Sequence, residues 1–167
     1  MLFLKNSRKK MAALVASVAI LLGGSQGATA SSATTTFQVT ASVVSSCTIS
    51  ATNLVFGNYT LAQLDGTSTV TVTCTNGSAF KIGLNAGTGT GATVLARKMT
   101  SGANTLNYAL YQDTSRATNW GNTPGTDTVN GTGNGSAQSY TVYGRIAANQ
   151  SSAIGAYTDT ITATVNF

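Results

Sequence analysis

The side chains that could do chemistry in this 167-residue chain are few. It holds no His and no Glu, and its four carboxylates, Asp65, Asp113, Asp127 and Asp159, stand singly along the sequence. Proton transfer near neutral pH wants a group that titrates there, usually His, and no such group is present. Serine and threonine hydroxyls are abundant but weak nucleophiles without a base beside them; Lys81 or Lys98 is what the sequence offers for that role. Hard-cation sites need several carboxylates close together, and the spacing shows none. The run Gly87-Thr88-Gly89-Thr90-Gly91 lacks the G-K-[ST] ending of a phosphate-cradling loop and no helical pattern follows it, so it reads as a hairpin loop. Trp120 beside a glycine reads as a packed loop anchor rather than a sugar platform. The sequons at Asn58, Asn76 and Asn134 follow from a composition rich in Asn and Thr and carry no weight. The expected chemistry is neither catalytic nor cofactor-dependent, and no metal is expected.

The exception is a pair of cysteines, Cys47 and Cys74. Their redox state follows from the compartment, which the N-terminus indicates. Lys5, Arg8, Lys9 and Lys10 precede an apolar stretch from Met11 to Leu22, and Ala28-Thr29-Ala30 has the form of a cleavage site. This is the pattern of a secretory signal peptide over 1–30, with an uncleaved anchor as the other reading. This stretch of 12 residues falls short of the about 20 that a spanning helix needs, and no later segment is a better candidate. In an oxidising compartment the two cysteines are expected to pair, closing a loop of about 27 residues and stabilising the fold by roughly 3 kcal/mol.

Export also accounts for the charge. The formal net charge is +5, but after removal of 1–30 five basic residues face four acidic ones, a net of +1. Only Arg97 and Lys98 are then adjacent, which is too little clustering for a nucleic-acid surface.

Strands must position whatever site exists. Thr occurs 29 times, Gly 18 times and Pro once, a composition that suits pleated strands joined by turns. Period-two alternation is visible at Phe37, Val39, Ala41 and Val43, and again at Val70, Val72 and Cys74. It returns at Phe80, Ile82 and Leu84, and at Leu106, Tyr108 and Leu110. Further strands are expected over 49–56, 94–99 and 138–146. Thr75-Asn76-Gly77-Ser78 reads as a tight hairpin turn, and 113–138 as a long polar connection, functional or mobile. The last segment is the most regular: Tyr157, Ile161, Ala163, Val165 and Phe167 share a face that only Asp159 interrupts. Seven or eight short strands in about 137 residues predict a single antiparallel β-sandwich of immunoglobulin-like size.

An alternating segment at 36–44, directly after the cleavage site, is unusual, because chain termini are disordered unless tied into a sheet. It either pairs within its own domain or adds to the sheet edge of a neighbour.

FQVTASVV (37–44) leading to Cys47, LVFGNY (54–59), VTVTC (70–74), RKM (97–99), LNYALYQD (106–113), WG (120–121), YGRI (143–146) and GAYTDTITATVNF (155–167) occur in an order and spacing that resemble the spore coat protein U family. That family includes the Csu-type pilins of the archaic chaperone–usher pathway. The resemblance covers nearly all of 37–167. It implies an all-β, incomplete immunoglobulin-like antiparallel sandwich over 47–167 and an N-terminal donor-strand segment over 31–46. The groove left by the missing strand would be filled first by a periplasmic chaperone and then by the donor strand of the next subunit, at an outer-membrane usher. Carried onto this chain, the donor residues would be Phe37, Val39, Ala41 and Val43. The groove wall beside the C-terminal strand would be Tyr157, Ile161, Ala163, Val165 and Phe167, and Cys47–Cys74 would be the family's disulfide.

Ala41 is small for a donor residue. The penultimate Asn166 stands where pilins outside the archaic group carry Tyr, which fits an archaic system. Burial of the four donor side chains would contribute on the order of 5–8 kcal/mol. Head-to-tail donation does not close on itself, so it builds a filament. The function so implied is a structural pilus subunit at the cell surface, serving adhesion and biofilm formation; the single-domain length argues against a tip adhesin. The other reading is a secreted, self-contained sandwich that coats a surface or binds carbohydrate.

Overall fold

The computed structural model describes residues 27 and 29–167. The expected signal peptide, 1–30, lies outside the described residues except for Gly27, Thr29 and Ala30. The chain divides into two units, with the boundary after Thr40. The described part of the first unit carries no strand or helix, and its Phe37 and Val39 are exposed, at 85% and 82%.

The second unit, Ala41–Phe167, is all β. Its strands are β1 Cys47–Ala51, β2 Leu64–Cys74, β3 Ala79–Leu84, β4 Arg97–Ser101, β5 Asn104–Tyr111, β6 Val129–Thr132, β7 Ala137–Ile146 and β8 Ala163–Asn166. They form two antiparallel sheets, one of five strands in the order β1-β2-β7-β5-β4 and one of three in the order β6-β3-β8. The alternation explains the layering: Val70 and Val72 of β2, Leu106 and Leu110 of β5, and Ile82 and Leu84 of β3 all turn inward and are buried between the sheets. Cys47 and Cys74 are joined by a disulfide and stand opposite one another in the β1–β2 register.

The local readings shift in four places. Residues 36–44 form no strand, and β1 ends at Ala51 rather than continuing to Phe56. β4 begins at Arg97 rather than Val94. Thr75–Ser78 is a turn with Gly77 at φ 82°, closed by Ser78 N–H donating to Thr75 O at 3.0 Å, but it is not a hairpin. It carries the chain from one sheet to the other, as does the Gly87–Gly91 loop between β3 and β4. Turn chemistry sets a local reversal of direction; which neighbour the next strand finds is decided by long-range pairing. The 113–138 connection supplies β6 to the three-stranded sheet, and Trp120 is its buried anchor, with Nε1–H donating to Ile82 O at 2.9 Å.

The end of the chain changes sheets. Thr158 makes two backbone hydrogen bonds to Thr100 of β4, at 2.9 and 3.1 Å, while Ala163–Asn166 pairs with β3 of the opposite sheet. At the crossing Asp159 interrupts the apolar face for a reason. Its Oδ1 accepts from Thr88 N at 2.8 Å, Thr88 Oγ1 at 2.9 Å and Thr160 N at 2.7 Å, and its Oδ2 accepts from Tyr108 Oη at 2.7 Å.

Candidate functional site: an open groove along one side of the sandwich

One side of the sandwich is left open between two stretches of chain. The first is 52–59, where the chain leaves β1. Beyond Thr52, whose N–H donates to Thr69 O at 2.9 Å, no backbone N–H or C=O of 53–60 has a hydrogen bond among the described residues. The stretch is held by its side chains instead. Gly66 of β2 and Gly144 of β7 are paired in register on the inner face of the five-stranded sheet. A Cβ on Gly144 would lie 2.8 Å from Leu54 Cδ1 and 2.8 Å from Phe56 Cζ, so the missing side chains form a notch that Leu54 and Phe56 fill. Phe56 also packs edge-on against Tyr108, with centroids 6.0 Å apart. Tyr59 fixes the far end, its Oη donating to Ala147 O at 2.9 Å and accepting from Gln150 N at 2.8 Å.

The second stretch is 157–166. In an antiparallel pair, hydrogen-bonded and non-bonded positions alternate. Leu84 N–H is spent on Gly121 O at 2.8 Å, and Asn85 N–H donates to Thr162 O at 3.1 Å, so Thr162, Thr164 and Asn166 turn their backbone groups toward β3. Ile161, Ala163 and Val165 therefore present theirs to the open edge, while their side chains pack half-buried against the core.

Two cavities lie along the opening. One, of about 570 Å³, runs past Ala51–Phe56 to Thr158–Ile161 and Ala163, with Val70, Leu84 and Leu110 in its floor. The other, of about 740 Å³, is lined by Leu54–Tyr59, Leu106, Ile146 and Ser152–Tyr157. Of the expected wall residues, Tyr157, Ile161 and Ala163 line the groove; Val165 packs on the core without reaching it, and Phe167 is 59% exposed. Among the expected donor residues of the second unit, Val43 is 87% exposed and Ala41 is exposed too.

No catalytic arrangement appears at the groove. Asp65 sits on the outer sheet face in a two-pronged bond with Arg145, at 2.8 and 2.9 Å, and Arg116 lies 3.4 Å away. The Arg145 hydrogen bonds, with help from the Arg116 charge, hold its carboxyl below the usual range despite some desolvation. Asp113 accepts from Ser115, Ala117 and Thr118 in its own loop, which lowers it as well. Asp127 accepts from Thr123 N at 2.7 Å. Asp159, the carboxylate at the groove, already has four donors. Among the described residues no three His, Cys, Asp or Glu side chains gather where they could hold a metal ion.

Two features escaped sequence reading. The Gly66–Gly144 notch joins glycines 78 positions apart and depends on a register no local pattern reveals. Arg97 was legible only as one charge of an RKM string. It is fully buried, donating through Nε to Asn85 O at 2.8 Å, through Nη1 to Val94 O at 2.7 Å, and through Nη2 to Leu84 O at 2.9 Å and Trp120 O at 2.6 Å. It closes the place where β3, β4 and the Trp120 loop diverge.

The fold has a counterpart in a chain of the chaperone–tip adhesion subunit pre-assembly complex, CsuC–CsuE, of the archaic chaperone–usher Csu pili of Acinetobacter baumannii. The TM-score is 0.57 at 22% identity over 75% of this chain, which spans about 40% of the length of that solved chain. Protein U of Myxococcus xanthus is 35% identical over 180 aligned positions, covering 97% of this chain and 99% of the relative. Residues 33–164 match the Spore Coat Protein U domain, and with that span and that relative the chain belongs to the Spore Coat Protein U domain family.

Proposed function

We propose that this chain is a structural pilus subunit that polymerises head to tail, each copy placing residues 37–43 in the groove of the next. The observation that carries the reading is an apolar groove with unpaired backbone on both sides, in a chain that also carries an exposed alternating segment of the right length. From Phe37 to Val43 an extended chain spans about 20 Å, seven residues against the eight of 53–60 whose backbone is unpaired among the described residues. A strand laid there gains main-chain hydrogen bonds and buries alternate side chains, the physics of strand addition.

Donation to a second copy is favoured by the tether. Ser46 O accepts from Thr75 N at 2.9 Å, Ser46 N–H donates to Thr75 Oγ1 at 3.1 Å, and Thr75 Oγ1 donates to Val44 O at 3.3 Å. These bonds hold 44–46 on the turn at the Cys47 end of β1, whereas the groove begins at Ala51, so filling it from the same chain would require a reversal within bonded residues. An open apolar groove needs cover before assembly, which gives a periplasmic chaperone its role and an outer-membrane usher the site of exchange. The signal peptide, cleaved after Ala30, routes the chain through the periplasm to the cell surface, where such fibres serve adhesion and biofilm formation. The likeness in fold to a chain of a pilus chaperone–subunit complex supports this.

The family description, a spore coat domain, favours a second reading: a self-contained sandwich that coats a surface. Unheated gel electrophoresis of the exported full chain separates the two. The pilus reading expects a ladder of oligomers that collapses to monomer on boiling. It expects Val39→Asp to lower the oligomer yield about a hundredfold, because the apolar contribution is lost and a carboxylate is desolvated. A wild-type chain that remains monomeric at high concentration establishes the second.

A further inference from the structure

We propose that Gln150 and Ser152 seal a second strand edge, on β5, against the 37–43 segment of another copy, so that each subunit takes one strand and the fibre grows in single file. This rests on the pilus reading above and goes beyond it to the number of partners. Along one side β5 pairs with β4 from Asn104 to Tyr108, but along the other it meets β7 only over Ala109–Tyr111. Residues 104–108 therefore extend past β7 with one side free of any strand. The Asn107 N–H and C=O face that side, and by the two-residue alternation of an antiparallel ladder so do those of Thr105.

The chain covers this edge with side chains. After Ile146 the backbone does not continue along β5; Asn149, at φ 63°, turns it aside, with its N–H donating to Leu61 O at 2.8 Å. The Gln150 amide then enters the ladder as a rung. Its Oε1 accepts from Asn107 N–H at 2.8 Å, and its Nε2 donates to Asn107 O at 2.8 Å and to Ala147 O at 3.3 Å. Ser152 Oγ donates to Thr105 O at 2.8 Å, and Tyr59 Oη accepts from Gln150 N–H at 2.8 Å, which holds the segment in place. Among the described residues no backbone–backbone hydrogen bond joins 147–153 to 104–108, so the cover is made by side chains alone. Without it, the Asn107 pair and the Thr105 carbonyl would face an incoming strand at its own two-residue repeat, beside the second cavity, which Leu106 and Ser152 line. Main-chain bonding is tolerant of sequence, so the exposed alternating segment 37–43 suits such an edge as well as it suits the groove. A subunit with two acceptor sites would branch, and the seal acts against that alternative.

The exported full chain tests this by the number of strands it takes. A labelled synthetic peptide of residues 34–46 is added to the oligomers, and bound peptide is counted per subunit. In wild-type oligomers the grooves are filled, so peptide binds only at the free end. Gln150→Ala is expected to bind about one further peptide per subunit, because the Asn107 groups are then open to strand addition. Gln150→Glu keeps the bulk but cannot donate to the Asn107 and Ala147 carbonyls, and the same gain is expected. Adding Thr105→Pro to either variant removes a backbone donor from that edge and sets a ring on it, so the extra peptide is lost. A purely structural role for Gln150 predicts no such rescue by a second substitution. Melting of each variant checks that the domain is folded. If folded Gln150→Ala and Gln150→Glu bind no more peptide than wild type, or if Thr105→Pro leaves the extra peptide in place, the seal is wrong. The two levels stay apart: a wild-type ladder beside unchanged peptide counts overturns the seal alone, whereas a wild type without a ladder overturns the pilus reading even where Gln150→Ala gains a peptide.

Discussion

The two places where this sandwich comes apart are treated in opposite ways. At the Arg97 end, β3, β4 and the Trp120 loop diverge, and a single buried guanidinium donates to four backbone carbonyls. Along the groove, 53–60 and the free edge of Ile161–Val165 diverge as well, and nothing among the described residues bridges them. Both regions belong to one domain with one core, so the groove is not the result of a generally loose fold. Buried backbone groups without partners are costly, and the chain satisfies them wherever its own residues reach. The side left unsatisfied is the one lined by half-buried apolar side chains, a surface that a strand from elsewhere would complete.

The largest effect is expected at the closed end. Arg97→Met keeps much of the volume but leaves four carbonyls facing a thioether; the expected cost is about 4 kcal/mol or more, read as the fall in the urea midpoint of the purified domain. If the domain tolerates it, the closed end is held by packing and the contrast is weaker than the geometry implies. A smaller effect is expected where the regions meet. Gly144→Ala puts a methyl group into the notch that seats Leu54 and Phe56, which should cost about 1–3 kcal/mol in thermal unfolding and also weaken oligomer formation, since one side of the groove moves.

The smallest effect belongs to the Tyr108–Asp159 contact beneath the groove. Burial first, and then the hydrogen bond to Asp159, push the Tyr108 phenol well above its ordinary value. The native state thus keeps a proton that the unfolded chain releases near pH 10. The contribution is whole below that pH and is lost as pH rises beyond it. Tyr108→Phe is expected to cost about 1 kcal/mol at neutral pH and to flatten the decline in melting temperature between pH 9 and 11.

Much of this was legible because strand period is a local property. Val70, Val72, Phe80, Ile82, Leu106 and Leu110 alternate in sequence and turn inward in the structure. The cysteines could be paired because there are two of them in a chain whose N-terminus reads as an export signal. What escaped was long-range. Asn76-Gly77 specifies a turn but not whether the next strand joins the same sheet, and it does not. Asp159 appeared only as a flaw in an apolar face, because Thr88 and Tyr108, its partners, are 71 and 51 positions away. For the groove, the shared face of Tyr157, Ile161 and Ala163 was visible in the alternating C-terminus and their place in a wall came from the family resemblance, whereas Leu54, Phe56 and their paired glycines required the fold.

The terminal segment is hydrogen-bonded to the edge of one sheet at Thr158 and to the other from Thr162 onward. Seen as a mechanical element, it is a strap across the seam. Tension along it is shared by both layers, so the sheets resist being opened like the covers of a book. A pull parallel to its length strains many hydrogen bonds in shear at once, where a perpendicular pull would unzip them one by one.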